Sequence, residues 1–177
     1  QSDVTGLIGQ YAHGNEPSHH IAFLYQYLGK PFKTQDKVNQ ILANFYTNQP
    51  DGLIGNEDCG QMSAWYVMAA LGMYDVCPGA GNFNLMAPLF PKITINLENG
   101  KKWVIEAKRA SRNSKYVNKV LLNNQPYSLT YLSGNTINEG GKIVYELGDT
   151  PNDWGTGDFA VPYSEITQAS VIVPNFE

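Results

Sequence analysis

The period of the hydrophobic pattern changes near residue 80, and this bounds the fold more tightly than any other feature. Before it, apolar residues recur every three or four positions. Ile21, Leu24, Tyr25 and Leu28 form one set, ended by Gly29; Val38, Ile41, Leu42 and Phe45 form a second. Thr34 is placed to cap the second helix, and Asp36 falls in its first turn. Met62, Trp65, Tyr66, Ala69, Ala70 and Met73 predict a third helix. Val67, Met68 and Leu71 fill its other side, so it is expected to be buried all round. After residue 80, alternation takes over. KITINL (92–97) and KKWVIEAK (101–108) flank the turn ENG and predict a hairpin. KVLLNNQPYSLTYL (119–132) turns at NNQP, and KIVYEL (142–147) follows Gly140 and Gly141. The tail from Thr150 reads as an extended strap. The fold class is α+β, with helices over residues 1–80 and a β-rich region with its tail over 81–177.

A chain of 177 residues, 42% hydrophobic and 16% charged, can bury a real core and is not disordered. The formal charge is −4, with Lys and Arg scattered, which argues against nucleic acid as the main partner. No apolar run reaches the ~18 residues of a membrane span. Residue 1 is Gln, with no leader pattern after it, so the sequence is expected to begin inside a longer protein. Cys59 and Cys77 flank a predicted helix that rises roughly 20 Å, too far for a disulfide.

GNEP begins at residue 14 and GNED at residue 55, 41 positions apart, and each precedes a predicted helix. A repeat of about 40 residues with one amphipathic helix between is the unit of a helical array or toroid. In an α/α barrel, the first and third helices would be inner ones, parallel, with both GNE loops at one mouth.

QYAHGNEPSHH (10–20) holds all three histidines, His13, His19 and His20, with Gly14, Asn15, Glu16 and Pro17. Read structurally, this is a helix start capped by Asn15, with Glu16 near the positive helix end. Read functionally, a carboxylate with amide and backbone oxygens suits calcium, whereas the histidines would suit zinc. The histidine spacing i, i+6, i+7 matches no standard zinc signature. In GNEDCGQ, Asp58 and Gln61 fit a capping box, which leaves Glu57 surplus. Paired carboxylates at the mouth of a buried helix suit general acid–base work, and Asp58 can cap and act as a base together. Cys59 near a helix start raises a Cys/His nucleophile, but flanking acids raise a thiol's pKa, the wrong direction for activation.

HGNEPSHH, followed by DGLIGNEDCGQMSAWYVMAALGMYDVCPG, resembles the C-terminal part of the bacterial calcium-dependent α-mannosidases of glycoside hydrolase family 92, over residues 1 to about 150. The resemblance implies an exo-acting, inverting enzyme that hydrolyses terminal α-1,2-linked mannose. It also implies an N-terminal β-sandwich and an (α/α)6 barrel, of which this chain would hold the last αα-hairpins and the trailing strands. Asn15 and Glu16 would bind calcium, and Asp58, with Glu57 second, would be the catalytic base. His13, Gly14, His19, His20 and Gln61 would line the substrate. The partners implied are a mannose-containing glycan and the N-terminal portion of the parent protein, with self-association through exposed helix faces. The implied location is periplasmic or secreted. The family's general acid sits in a motif of the form EGNxWQY, which this sequence lacks, so the chain alone is expected to be inactive. The alternative is a glycan-binding module built on Trp103, Tyr116, Tyr127 and Tyr131, residues that also suit a sheet core.

Overall fold

A computed structural model describes residues 4–162. Strand β1 (Leu7–Ile8) pairs with β2 (Tyr11–Ala12), and a 3₁₀ turn (Glu16–Ser18) and a 3₁₀ helix (Ile21–Leu28) follow. The first predicted helix thus has three residues per turn rather than 3.6, and the predicted inner face turns outward. Ile21, Leu24 and Leu28 are 42%, 40% and 69% exposed, while Ala22, Phe23 and Gln26 are buried. The 3₁₀ repeat stacks Phe23 and Gln26, i and i+3, on one face. Gly29 ends the run in the left-handed conformation.

Helix α1 (Pro31–Asn44) starts three residues before Thr34, the predicted cap. Pro31 takes the first helical positions, where a missing N–H costs nothing, and Thr34 lies buried inside the first turn. Helix α2 (Gln61–Leu71) buries Met62, Trp65, Ala69 and Ala70, but Ala64 and Val67 are exposed. It is buried on one side, not all round.

Among the described residues two larger sheets follow. Strands β3 (Met73–Tyr74), β4 (Asn82–Leu85) and β9 (Tyr131–Ser133) form one, in the order β3-β4-β9. It straddles residue 80, because β3 belongs to the helical half of the sequence. The other joins β5 (Lys92–Asn96), β6 (Lys102–Arg109), β7 (Tyr116–Leu122), β8 (Gln125–Pro126) and β10 (Gly141–Gly148) in the order β5-β6-β10-β7-β8. The predicted β5–β6 hairpin is present, with Ile93 opposite Ile105 and Ile95 opposite Trp103. Asn123 and Asn124 both adopt positive φ, 49° and 67°, and turn β7 into β8, as a tight two-residue hairpin requires. Strand β10 enters between β6 and β7, parallel to the first and antiparallel to the second, after the short helix α3 (Gly134–Asn138).

Trp103, Ile105, Val117, Val120, Ile143, Tyr145 and Leu147 of the larger sheet pack with Met73, Leu85 and Leu132 of the smaller one. A second core gathers Phe23, Val38, Ile41, Trp65, Ala69 and Met86. Two buried glutamines join helices to strands. Gln26 donates to the Leu85 carbonyl at 2.5 Å and accepts from the Asn84 amide at 2.6 Å, and Gln35 accepts from the Val117 N–H at 2.6 Å. Past β10 the chain crosses the surface without strand pairing, seating Trp154 and Ala160 in the core; the rest of the predicted strap, beyond residue 162, lies outside the described residues.

Candidate active site

The two GNE loops meet. Gly14 and Gly55, the first residue of each, pack so closely that a Cβ on Gly55 would lie 3.2 Å from the Gly14 Cα, and one on Gly14 only 2.0 Å from the Thr5 hydroxyl oxygen. The glycines are there because two backbones approach face to face. Beyond them Glu16, from the first loop, meets Asp58, from the second, as a carboxyl pair that shares one proton, and this contact holds Glu16 below its usual range. The juxtaposition read from the repeat is therefore present in the fold.

The roles of the paired acids differ from the expected ones. Asp58 is not the side-chain cap of α2. Gly60 stands at the N-cap with φ 89°, and Asp58 and Cys59 before it also have positive φ, 50° and 58°. Glu57 does the capping: its carboxylate accepts from the Ser63 N–H at 2.9 Å and from the Ser63 hydroxyl at 2.7 Å. Those bonds hold Glu57 below the ordinary carboxylate range. Each Glu57 oxygen thus accepts one bond from Ser63, and Asp58 sits on a run of left-handed residues that costs about 1–2 kcal/mol for each non-glycine member. Backbone strain of this kind concentrates where a side chain must be held in a set direction.

The histidines divide. His13 and His19 are fully buried, with ring centroids 4.8 Å apart. Tyr11 donates its hydroxyl to His13 Nδ1 at 2.7 Å. His13 Nε2–H donates to the Tyr46 oxygen at 2.6 Å, and Tyr46 donates onward to the Met62 carbonyl at 3.1 Å. His19 Nε2–H donates to the His13 carbonyl at 2.9 Å, and its Nδ1 accepts from the Gln61 amide at 3.1 Å. Both rings are neutral in this network. Burial, with the neighbouring His19, pushes His13 down to about 3; burial also lowers His19, against its bond to the His13 carbonyl. Their nitrogens have no capacity left for sugar or metal, so the expected substrate contacts of His13 and His19 are replaced by a scaffolding role. Gln61 is drawn into the same scaffold, and Gly14 is buried at the loop contact. Asn15 is exposed and makes no cap bond, so the structure does not use it as the helix cap; His20 is half-buried.

Tyr11, Tyr46 and Ser63 were not singled out from the sequence, and Trp65 only as an apolar member of the third helix. Trp65 donates to the His19 carbonyl at 3.1 Å and packs edge-on to His13, fixing the turn that carries Glu16. Its signal was its place inside the GQMSAWY signature; Tyr46 gave none, standing just past a helix end. The β-region aromatics follow the core reading: Trp103 and Tyr116 are buried, and Tyr127 bonds the Tyr131 carbonyl at 2.7 Å. Cys59 and Cys77 are free and exposed, and with His13 and His19 committed elsewhere neither ring is available to activate Cys59.

Residues 1–149 match the glycosyl hydrolase family 92 catalytic domain. The chain superimposes on the family 92 α-mannosidase BT3965 from Bacteroides thetaiotaomicron, solved with mannoimidazole, with a TM-score of 0.88 and 41% identity over 92% of this chain. The family 92 inverting mannosidase BT2199 from the same organism gives a TM-score of 0.82 and 40% identity over 88% of this chain. A relative in Arthroderma benhamiae, described as an uncharacterized secreted glycosidase, is 30% identical over 85% of this chain. The chain spans only about a fifth of each relative, 22%, 21% and 20% of their lengths. No described helix is long and apolar enough to cross a membrane. The chain belongs to glycoside hydrolase family 92.

Proposed function

We propose that this chain supplies the catalytic-base side of an exo-acting, inverting α-mannosidase that removes terminal α-1,2-linked mannose. One observation carries the reading: Glu16 and Asp58, 42 positions apart in sequence, meet where the two GNE loops converge. Kinship with a mannosidase described as inverting supports the stereochemistry. In an inverting reaction one carboxyl protonates the leaving oxygen. Across ~6.5–9.5 Å, the other takes a proton from the attacking water. Asp58 is assigned as the base from its place in the carboxyl pair with Glu16, accepting the water's proton once the proton shared with Glu16 has left, while Glu57 is engaged at the start of α2. The general acid comes from a part of the parent protein outside this chain, so the isolated chain is inactive.

Calcium is the implied metal, and the donor chemistry fits it as part of a shell. The mouth offers the carboxylate oxygens of Glu16 and Asp58 and the amide of exposed Asn15, while the His13 and His19 nitrogens are engaged, which disfavours zinc. Among the described residues no three His, Cys, Asp or Glu side chains gather as a metal-holding group, so other ligands come from backbone, sugar and the rest of the parent. When bound, the ion would supply a positive charge for orienting sugar hydroxyls, and Asn15 and Glu16 are the residues that would hold it; Asp58 positions and deprotonates water. Half-buried His20 borders the sugar. The parent enzyme is exported, to the periplasm or outside the cell.

The test is mannose release from α-1,2-mannobiose by the full-length parent and by this chain, with calcium and with EDTA, following the anomer first formed. The reading predicts β-mannose from the parent alone, abolished by EDTA. Turnover by the isolated chain, α-mannose as first product, or indifference to EDTA would contradict it.

A further inference from the structure

Helix α1 carries one charged stripe. Lys33, Asp36, Lys37 and Gln40 fall at i, i+3, i+4 and i+7, and they line a concavity of about 620 Å³, within the size range of ligand pockets. Lys115, just before β7, forms a second wall, and Tyr25 of the 3₁₀ helix a third. The concavity shares no residue with the candidate active site.

Its charges do not cancel. Asp36 is already answered: Lys115 Nζ lies 2.5 Å from its Oδ1, and the Tyr116 hydroxyl donates to the same oxygen at 2.6 Å. Among the described residues no carboxylate lies within ion-pair distance of Lys33 or Lys37. Lys33 Nζ sits 5.6 Å from the centre of the Tyr25 ring, and Lys37 Nζ donates to Gln40 Oε1 at 3.3 Å. Helix stability does not favour this arrangement. The first turn of α1 holds no acid and carries Lys33, against the preference of the helix dipole for negative charge there. Local choices that cost stability concentrate at functional positions. Two ammonium charges are thus left unanswered on one concavity, in a chain whose formal charge is −4.

Two free ammonium groups match a phosphate monoester, which carries about −1.5 to −2 near pH 7. Lysines act as point charges that suit tetrahedral phosphate oxygens. A planar carboxylate is matched better by the arginine fork, and among the described residues this wall has no Arg. The Tyr25 and Phe32 rings can take the C–H face of a sugar, and the Asn39 and Gln40 amides its hydroxyls. We propose that this concavity is a non-catalytic binding site for a sugar phosphate ester, with Lys33 and Lys37 on the phosphate. The inference stands apart from the mannosidase reading.

The experiment titrates glucose 6-phosphate, inorganic phosphate, galacturonate and glucose calorimetrically onto three proteins. They are the full-length parent, its pocket variant Lys33→Gln/Lys37→Gln, and a control, Lys101→Gln/Lys108→Gln, which removes the same charge from exposed positions elsewhere. Parent and control should bind glucose 6-phosphate with a Kd of about 1 mM or tighter, and the pocket variant at least about tenfold more weakly. Inorganic phosphate and galacturonate should bind the parent about fivefold or more weakly than glucose 6-phosphate, and glucose not measurably. Mannoside turnover should match in all three proteins. Equal losses in pocket variant and control, an unchanged affinity in the pocket variant, or no binding to the parent would overturn the site. Galacturonate as tight as glucose 6-phosphate would overturn the phosphate assignment, and inorganic phosphate as tight would overturn the sugar ester. A parent that hydrolyses no mannoside sinks the mannosidase reading alone and leaves these titrations to decide the concavity.

Discussion

At the scale of residues, the site depends on two neutral buried histidines and on two glycines that let loops touch. His13 lies near 3 in the fold against an ordinary 6.5, and His19 is lowered too. Between those values the unfolded chain binds a proton that the folded chain does not. Stability is therefore complete above pH 6.5 and falls as pH drops toward 3, by about 1.4 kcal/mol per pH unit for one proton. The depressed carboxylates Glu57 and Asp149 act in the same sense, but only as pH falls through the carboxylate range, so the window from 6.5 to 5 belongs to the histidines. Urea unfolding of the parent at pH 7, 6 and 5 should show this slope, and His13→Gln should flatten it; an unchanged slope in the variant would refute the assignment. Gly14→Ala forces a methyl against Thr5 and separates the loops, an expected loss of about 1–3 kcal/mol with reduced kcat, read by thermal melts and turnover.

At the scale of elements, the helical and sheet layers are joined by buried amides as well as by apolar packing. Gln26→Leu removes the Gln26 bonds to the Leu85 carbonyl and the Asn84 amide, and Gln35→Met removes the acceptor of the Val117 N–H. Each should cost about 1–3 kcal/mol in urea unfolding with little change in KM; a neutral outcome would show that water replaces the amide. Elements were legible where one local rule decided them. The β5–β6 hairpin and the existence of α2 follow from alternation and from an apolar run. The face of Ile21–Leu28 was misread because 3.6 residues per turn was assumed where the chain winds three. The start of α1 was misread because Thr34 looked like a cap, although Pro31 already fixed the first turn. The meeting of the GNE loops was legible from their repeat, whereas the exchange of roles between Glu57 and Asp58 turns on the backbone sign at three residues, which no spacing reveals.

At the scale of the molecule, apolar side chains stand where neighbours would be expected. Leu28, Val67 and Ile21 are 69%, 53% and 42% exposed, on elements that otherwise build a core. The 177-residue chain alone should therefore self-associate, seen as a concentration-dependent rise in sedimentation coefficient, while Leu28→Lys/Val67→Lys shifts it toward monomer; a monodisperse monomer at high concentration would contradict this. Sequence and fold together place the chain in family 92, and the arrangement of its two acidic loops carries the account of catalysis. The most direct test compares the full-length parent with its Asp58→Asn and Glu57→Gln variants on α-1,2-mannobiose. The account predicts that Asp58→Asn lowers kcat roughly 10²–10⁴-fold with Tm nearly unchanged, while Glu57→Gln lowers Tm and keeps kcat within about tenfold. The reverse order, with Glu57→Gln silencing the enzyme and Asp58→Asn leaving it active, would contradict it.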